Sequence, residues 1–310
     1  MKFNHFYFVL IICALTLFQT PLCSQNEAPV NQFPPVILER TEIRTLHSDI
    51  IGQDFELWIS VPKSYSANDT IVYPVMYLLD PYRAFLIVKG FIDVITFPSA
   101  YIPEIIIVGI GYGGEDSEAM INWALGRIRD MTPVRSTETE EIYRNRFEAL
   151  GIDNVEVHTG GASKFLEFIG KELFPFIGSN YRIDTQTRLL SGYSLGGLFG
   201  MYVLFHKPDL FNKYLIGSPS IHFKDGITFD YEDDYARKQS DLVADVFISA
   251  GELEESTSRN VKKMEELLSS QNYENLNLKT VIFDNENHIT CYPAALSRGI
   301  IELLGSQDNN

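Results

Sequence analysis

A strand that runs straight into a helix through a glycine-bracketed serine leaves few folds open to this chain. Arg188-Leu189-Leu190-Ser191 reads as a short buried strand, Gly192-Tyr193-Ser194-Leu195-Gly196 follows at once, and the apolar stretch 195–205 reads as a helix. G-x-S-x-G between strand and helix describes a sharp turn that lifts the serine hydroxyl clear of the sheet, with glycines where no side chain fits. A strand feeding a helix in this way is the repeating unit of a parallel sheet covered on both faces.

The rest of the chain keeps that rhythm. Residues 36–46, 54–61 and 72–79 read as strands. Phe55-Glu56-Leu57-Trp58-Ile59-Ser60-Val61 alternates as a half-buried strand does, whereas Tyr73-Pro74-Val75-Met76-Tyr77-Leu78-Leu79 is apolar enough for burial on both faces. Residues 105–110, 243–249 and 279–283 are further strands, and 165–176, 261–269 and 293–304 have helical spacing. The first two strands have no helix between them, which predicts an antiparallel edge. Residues 115–160 fit poorly and read as a long excursion beside the site, since extended loops on a rigid sheet usually carry function.

These features predict an α/β fold of the α/β-hydrolase class, one catalytic domain over residues 36–305 followed by a short tail, 306–310. With 45% hydrophobic residues in 310, the chain can bury one sizeable core without a domain-splitting linker. Residues 1–24 combine Lys2, a short apolar run and a small-residue exit near Ser24 or Gln25, the pattern of a secretory signal peptide, with 25–35 as a flexible lead-in. The expected location is therefore secreted or periplasmic, with a lipid anchor at Cys23 disfavoured by the bulk of Leu22. Cleavage leaves Cys291 as the one cysteine, so no intramolecular disulfide is available. The balance of 25 Lys+Arg against 41 Asp+Glu repels nucleic acid and anionic membranes and disfavours a strongly anionic substrate.

A serine needs a base to act as a nucleophile. Of six histidines, His288 alone follows the final strand, where the order serine, acid, histidine places the base. The acid should lie past the strand 243–249, where Glu252, Glu254 and Glu255 compete. The spacing from Gly251 favours Glu254. An oxyanion hole needs backbone N–H groups: Leu195 supplies one, and the loop after Leu79 another, from Tyr82 or Arg83, because Pro81 has none. Gly109-Ile110-Gly111-Tyr112-Gly113-Gly114 matches G-x-G-x-x-G but opens no first βα unit and is followed by no suitably placed acid, so a dinucleotide is not expected. HExxH, paired Cys or His, and Walker patterns are lacking, and no metal or other cofactor is expected.

With these residues placed, the chain resembles the putative-esterase family of enterochelin and related siderophore esterases, S-formylglutathione hydrolase, and feruloyl and acetylxylan esterases. The likeness runs from about Ile43 to Leu304 through Tyr77-Leu78-Leu79-Asp80, Arg127-Ile128-Arg129-Asp130-Met131-Thr132-Pro133, Gly160-Gly161, Tyr181-Arg182, residues 192–198, Ser218-Pro219-Ser220, Gly251-Glu252-Leu253-Glu254 and His288. It implies metal-free cleavage of a small-molecule ester through an acyl-enzyme. Apart from the resemblance, the aromatic residues Tyr82, Trp123, Tyr193 and Phe223, and Arg129 in the 115–160 excursion, are the candidate substrate contacts. Two departures stand out. Pro81 replaces the usual glycine after Asp80, and Ile221-His222-Phe223 replaces a stretch often rich in tryptophan. Siderophore, short-chain acyl and carbohydrate esters all remain open, and the altered oxyanion loop leaves a non-catalytic binding protein as the alternative.

Overall fold

The strands and helices, in chain order, are β1 (Thr41–Ser48), β2 (Gln53–Ser60), β3 (Tyr73–Leu79), α1 (Pro81–Thr96), β4 (Ile106–Gly111), α2 (Asp116–Asp130), α3 (Thr137–Ala149), α4 (Ala162–Phe168), a π-helical turn (Ile169–Leu173), α5 (Phe174–Asn180), β5 (Ile183–Tyr193), α6 (Leu195–His206), β6 (Lys213–Gly217), α7 (Ile227–Ala236), β7 (Ala244–Gly251), α8 (Glu255–Ser270), β8 (Leu276–Phe283) and α9 (Cys291–Leu304). The structure is a computed structural model describing residues 37–66, 70–96, 101–114 and 116–305. The signal-peptide, lipid-anchor, lead-in and tail assignments lie outside the described residues. Contacts divide the chain into Met1–Glu39 and Arg40–Asn310, and the second unit holds the whole sheet. Among the described residues, no helix is long and apolar enough to cross a membrane.

The strands form one sheet in the order β1-β2-β4-β3-β5-β6-β7-β8. β1 and β2 pair antiparallel, as does β2 with β4, and every pairing from β4 to β8 is parallel. The strand pair without an intervening helix thus forms the antiparallel edge.

Alternation along the central strands divides the core. Val75, Tyr77 and Leu79 face one layer with Val108, Leu190, Ile216 and Ile248, against helices that include α4, α5 and α6. Met76 and Leu78 face the other with Ile107, Leu189, Leu215 and Phe247, against α1 and α9. Side chains two apart on a strand share a face, so a nearly all-apolar β3 belongs in the middle of such a sandwich. On the first face Phe55 stacks on Phe168 at 4.2 Å between ring centroids.

Three elements depart from expectation. The segment after Leu79 is not an extended loop: α1 starts at Pro81, and Ala84, Phe85, Val88, Ile92 and Ile95 form its buried stripe. Proline suits the first helical position, where its absent N–H has no helical partner to lose. Each large apolar side chain buried in the stripe contributes about 1.5–3 kcal/mol. Residues 115–160 are largely helical, as α2 and α3, the latter capped by the Ser136 hydroxyl accepting from Thr139 N. β6 and α7 lie where the sequence signals no element. The first strand is also shifted, from 36–46 to Thr41–Ser48.

Candidate active site

The parallel strands end on one side of the sheet, and the reactive side chains follow those ends. Backbone bonds extend the sheet into the loops: Ser194 N donates to Gly217 O (3.0 Å), Ser218 N to Ser249 O (2.7 Å) and Glu252 N to Phe283 O (2.9 Å). The loops that carry these side chains are therefore tied by backbone bonds to β6, β7 and β8.

Ser194 sits between β5 and α6 with φ 61° and ψ −113°. A non-glycine residue in such a region costs on the order of 1–3 kcal/mol and persists only where its surroundings impose it. The constraint is steric: a Cβ on Gly192 would lie 2.2 Å from Gly196 O, so the strand can fold back onto its own helix only with glycine there. Leu195 occupies the first position of α6, where its N–H has no partner within the helix.

His288 follows β8. Asn287 Oδ1 accepts from Ile289 N (2.9 Å) and Thr290 N (3.2 Å), and Tyr193 donates its phenol proton to His288 O (2.7 Å). The imidazole Nδ1 lies 2.6 Å from Glu254 Oε2. Glu254 precedes α8 and uses its other oxygen, Oε1, to accept from Ser218 Oγ (2.7 Å) and Gly251 N (2.9 Å). Burial pushes this carboxyl upward, but the bonds from His288, Gly251 and Ser218 outweigh burial and hold it below the usual carboxylate range. Glu252 instead accepts from Asn285 N (2.9 Å), and Glu255 opens α8 as an exposed residue. Of the three carboxylates, Glu254 is the one that meets the imidazole.

Ser194 and His288 line one cavity of about 280 Å³, together with Tyr193, Trp123 and three arginines, Arg83, Arg127 and Arg146. Arg127 makes a two-pronged contact with Asp80, Nε to Oδ1 at 2.9 Å and Nη2 to Oδ2 at 3.0 Å, and Trp123 Nε1 donates to Asp80 Oδ1 at 2.7 Å. Burial opposes the Arg127 charge, but Asp80 outweighs it and raises its affinity for the proton. The Arg83 and Arg127 guanidinium groups stand 4.8 and 5.2 Å from the Trp123 ring centroid. Among the described residues, no His, Cys, Asp and Glu cluster is arranged to hold a metal ion.

Arg129 is not a cavity residue. It grips Asp130 through Nε (2.7 Å) and Nη2 (2.8 Å), reaches Gln53, and lines a different depression with Tyr112 and His158. Phe223 is also displaced: it is buried in the core and does not line the cavity. Tyr82 is the second residue of α1, and its ring packs edge-on to Trp58. Arg83 N and Ala84 N return to Asp80 O (3.0 and 3.2 Å). Pro81 has no N–H, so Tyr82 holds the first-turn N–H of α1 that makes no backbone bond among the described residues. Two important groups were not singled out from sequence. Ser218 anchors Glu254, and the motif Ser218-Pro219-Ser220 was the available signal. Arg127 pairs with Asp80, four residues from Trp123 on the same helix.

The family model described as Putative esterase matches residues 124–295. Ferri-bacillibactin esterase BesA of Bacillus subtilis is 30% identical over 270 residues, covering 84% of this chain and 88% of the relative. The crystal structure of BES protein from Bacillus cereus superposes with a TM-score of 0.73 at 28% identity, covering 88% of this chain and 98% of that one. Siderophore hydrolase EstA from Aspergillus nidulans shares the fold with a TM-score of 0.71 at 22% identity, covering 87% and 96% of the two chains.

Proposed function

The chain belongs to the putative-esterase family and is an ester hydrolase, and from that premise we propose that it cleaves siderophore esters with Ser194 as nucleophile, His288 as base and Glu254 as the acid that orients it. The observation that carries this reading is the His288–Glu254 contact of 2.6 Å, at a cavity shared with the strained Ser194. Ser194 Oγ attacks the ester carbonyl while the imidazole takes its proton through Nε2. Nδ1–H stays bonded to Glu254, which stabilises the imidazolium as it forms. Charge developing on the carbonyl oxygen is met by the N–H of Leu195 and that of Tyr82, each such donor being worth about 10²–10³ in kcat. The imidazolium protonates the departing alkoxide, and His288 then draws a proton from water to release the acid and free Ser194.

Two observations support a siderophore ester over a simple acyl or carbohydrate ester. The Bacillus subtilis relative, covered over 88% of its length, is named for a ferri-bacillibactin substrate. Locally, Arg83 and Arg146 bring positive charge to the cavity of a chain whose formal net charge is −16, and neither forms an ion pair among the described residues. A guanidinium lining suits an anionic ester carrying aromatic chelating groups. Pro81 no longer argues for a non-catalytic binder, because it occupies the position of α1 where a missing N–H is tolerated. Reading residues 1–24 as a secretory signal places the reaction outside the cytoplasm; N-terminal sequencing should find a mature start near Ser24 or Gln25.

The test is labelling with a fluorophosphonate, followed by peptide mass spectrometry and a Ser194→Ala control. One adduct on the Ser194 peptide, lost in the control, is expected. Hydrolysis of a trilactone siderophore should then exceed that of acetylated xylan and of p-nitrophenyl acetate in kcat/KM. Folded protein that takes no label overturns the nucleophile assignment.

A further inference from the structure

Asp80 occupies the junction of three helices. It is 3% exposed, and its backbone is left-handed, with φ 55°. Its carbonyl accepts the N–H groups of Arg83 and Ala84, which starts α1. Its carboxylate takes three N–H groups from α2, two from Arg127 and one from Trp123. It also reaches the elbow: a Cβ built on Gly196, in the first turn of α6, would lie 3.6 Å from Asp80 Oδ2. The two helix starts that carry the Leu195 and Tyr82 N–H groups therefore meet at one side chain, which a third helix holds in place.

Resting on the Ser194 reading above, the geometry points to Asp80, clamped by Arg127 and Trp123, as the positioning residue of the oxyanion hole. The left-handed turn at Asp80 decides which way α1 leaves β3, and with it the direction of the Tyr82 N–H. A residue other than glycine enters that conformation against a steric penalty. Three bonds to one carboxylate, two from the Arg127 guanidinium and one from the Trp123 indole, supply the opposing force. α1 is also pressed onto the sheet here, because a Cβ on Gly109 of β4 would sit 2.7 Å from Pro81 Cβ. Tilting α1 is thus blocked on the sheet side and restrained on the α2 side.

A donor that is misdirected by even a fraction of an ångström loses its advantage in the transition state while ground-state binding is little affected. The test uses a neutral ester, p-nitrophenyl acetate, so that charge recognition of substrate plays no part. Asp80→Asn tolerates the left-handed backbone but cannot take both Arg127 bonds. It should lower kcat by about 10- to 100-fold with KM changed by less than about threefold. Arg127→Met should do the same, and the double variant should be no worse than either single, because the pair acts as a unit. Trp123→Phe keeps an aromatic ring and removes one bond, and should give a smaller loss of the same kind. A trifluoromethyl ketone, which forms a tetrahedral adduct with the serine, should lose affinity in step with kcat/KM across the series.

The inference is overturned if Asp80→Asn and Trp123→Phe lower Tm but keep kcat and ketone affinity within about twofold of wild type. That result would make the cluster a structural salt bridge. A wild-type protein that neither hydrolyses the ester nor takes fluorophosphonate overturns the Ser194 reading itself, and this inference with it.

Discussion

Replacing Glu254 by glutamine keeps the side chain's shape and should nearly abolish turnover. In the wild-type arrangement Oε1 accepts from Gly251 N at 2.9 Å and Ser218 Oγ at 2.7 Å, while Oε2 faces His288 Nδ1 at 2.6 Å. The backbone N–H of Gly251 can only donate, so the glutamine carbonyl must take the Oε1 place. The amide NH2 is then turned toward His288. An NH2 donor facing Nδ1 stabilises the tautomer that bears its proton on Nε2, which cannot accept the Ser194 proton. Losing the correct tautomer with the geometry kept costs about 10⁴ in kcat, near 5.5 kcal/mol of transition-state stabilisation. Glu254→Ala leaves the imidazole free to choose its tautomer, so the larger, more conservative glutamine should be at least as damaging as alanine. Burst and steady-state kinetics on p-nitrophenyl acetate read this directly, with the fluorophosphonate labelling rate as a second measure. A Glu254→Gln enzyme within about tenfold of wild type would refute the orienting role. So would an equal loss in Glu252→Gln, whose carboxylate bonds Asn285 N instead.

Because the folded state holds the Glu254 carboxyl below its ordinary value of 4.5, its contribution to stability is present at pH above that value and is lost as the pH falls through the folded value. Thermal melts should show this acid limb flattened in Glu254→Gln. Gly192→Ala drives a methyl into Gly196 O and should lower Tm by roughly 8 °C, or about 3 kcal/mol, by calorimetry. Cys291 is fully buried, and burial pushes its thiol pKa upward, so a chain starting at Gln25 should react with a thiol reagent only after denaturation. Arg83→Glu with Arg146→Glu should raise KM for an anionic siderophore ester by about tenfold while leaving p-nitrophenyl acetate within about twofold. Equal effects on both substrates would remove the arginines from recognition.

The serine turn and His288 were legible because each announces itself locally, one by glycines between a strand and an apolar helix, the other by its place after the last strand. Glu254 needed only the spacing from Gly251. What escaped was spatial. Reading 115–160 as a loop removed the helical periodicity that would have separated Arg127 from Arg129. Two positions on a helix are about 200° apart, whereas Trp123 and Arg127, four apart, share a face. Hence Arg129 was expected in the cavity, whereas it binds Asp130 and faces another depression. The α1 stripe at Ala84, Phe85, Val88 and Ile92 is equally periodic, but seeking an oxyanion donor in a loop after Leu79 left that periodicity unread. Phe223 was read as pocket-lining because it is an aromatic residue just past Ser218-Pro219-Ser220, and only the packing shows that it belongs to the core.

The bond from the Tyr193 phenol to the His288 carbonyl bears on how the enzyme could admit a bulky ester. Tyr193 is the immediate neighbour of the serine, and the bond uses neither the Ser194 hydroxyl nor the His288 ring. It rivets the base's loop to the nucleophile's own strand, so these two walls of the cavity breathe together. The α3 part of the lining, Tyr143 and Arg146, shares no such rivet with them among the described residues. On the proposed reading, accommodating guests of different girth falls to that side, while the loop of His288 stays tied to the strand of Ser194.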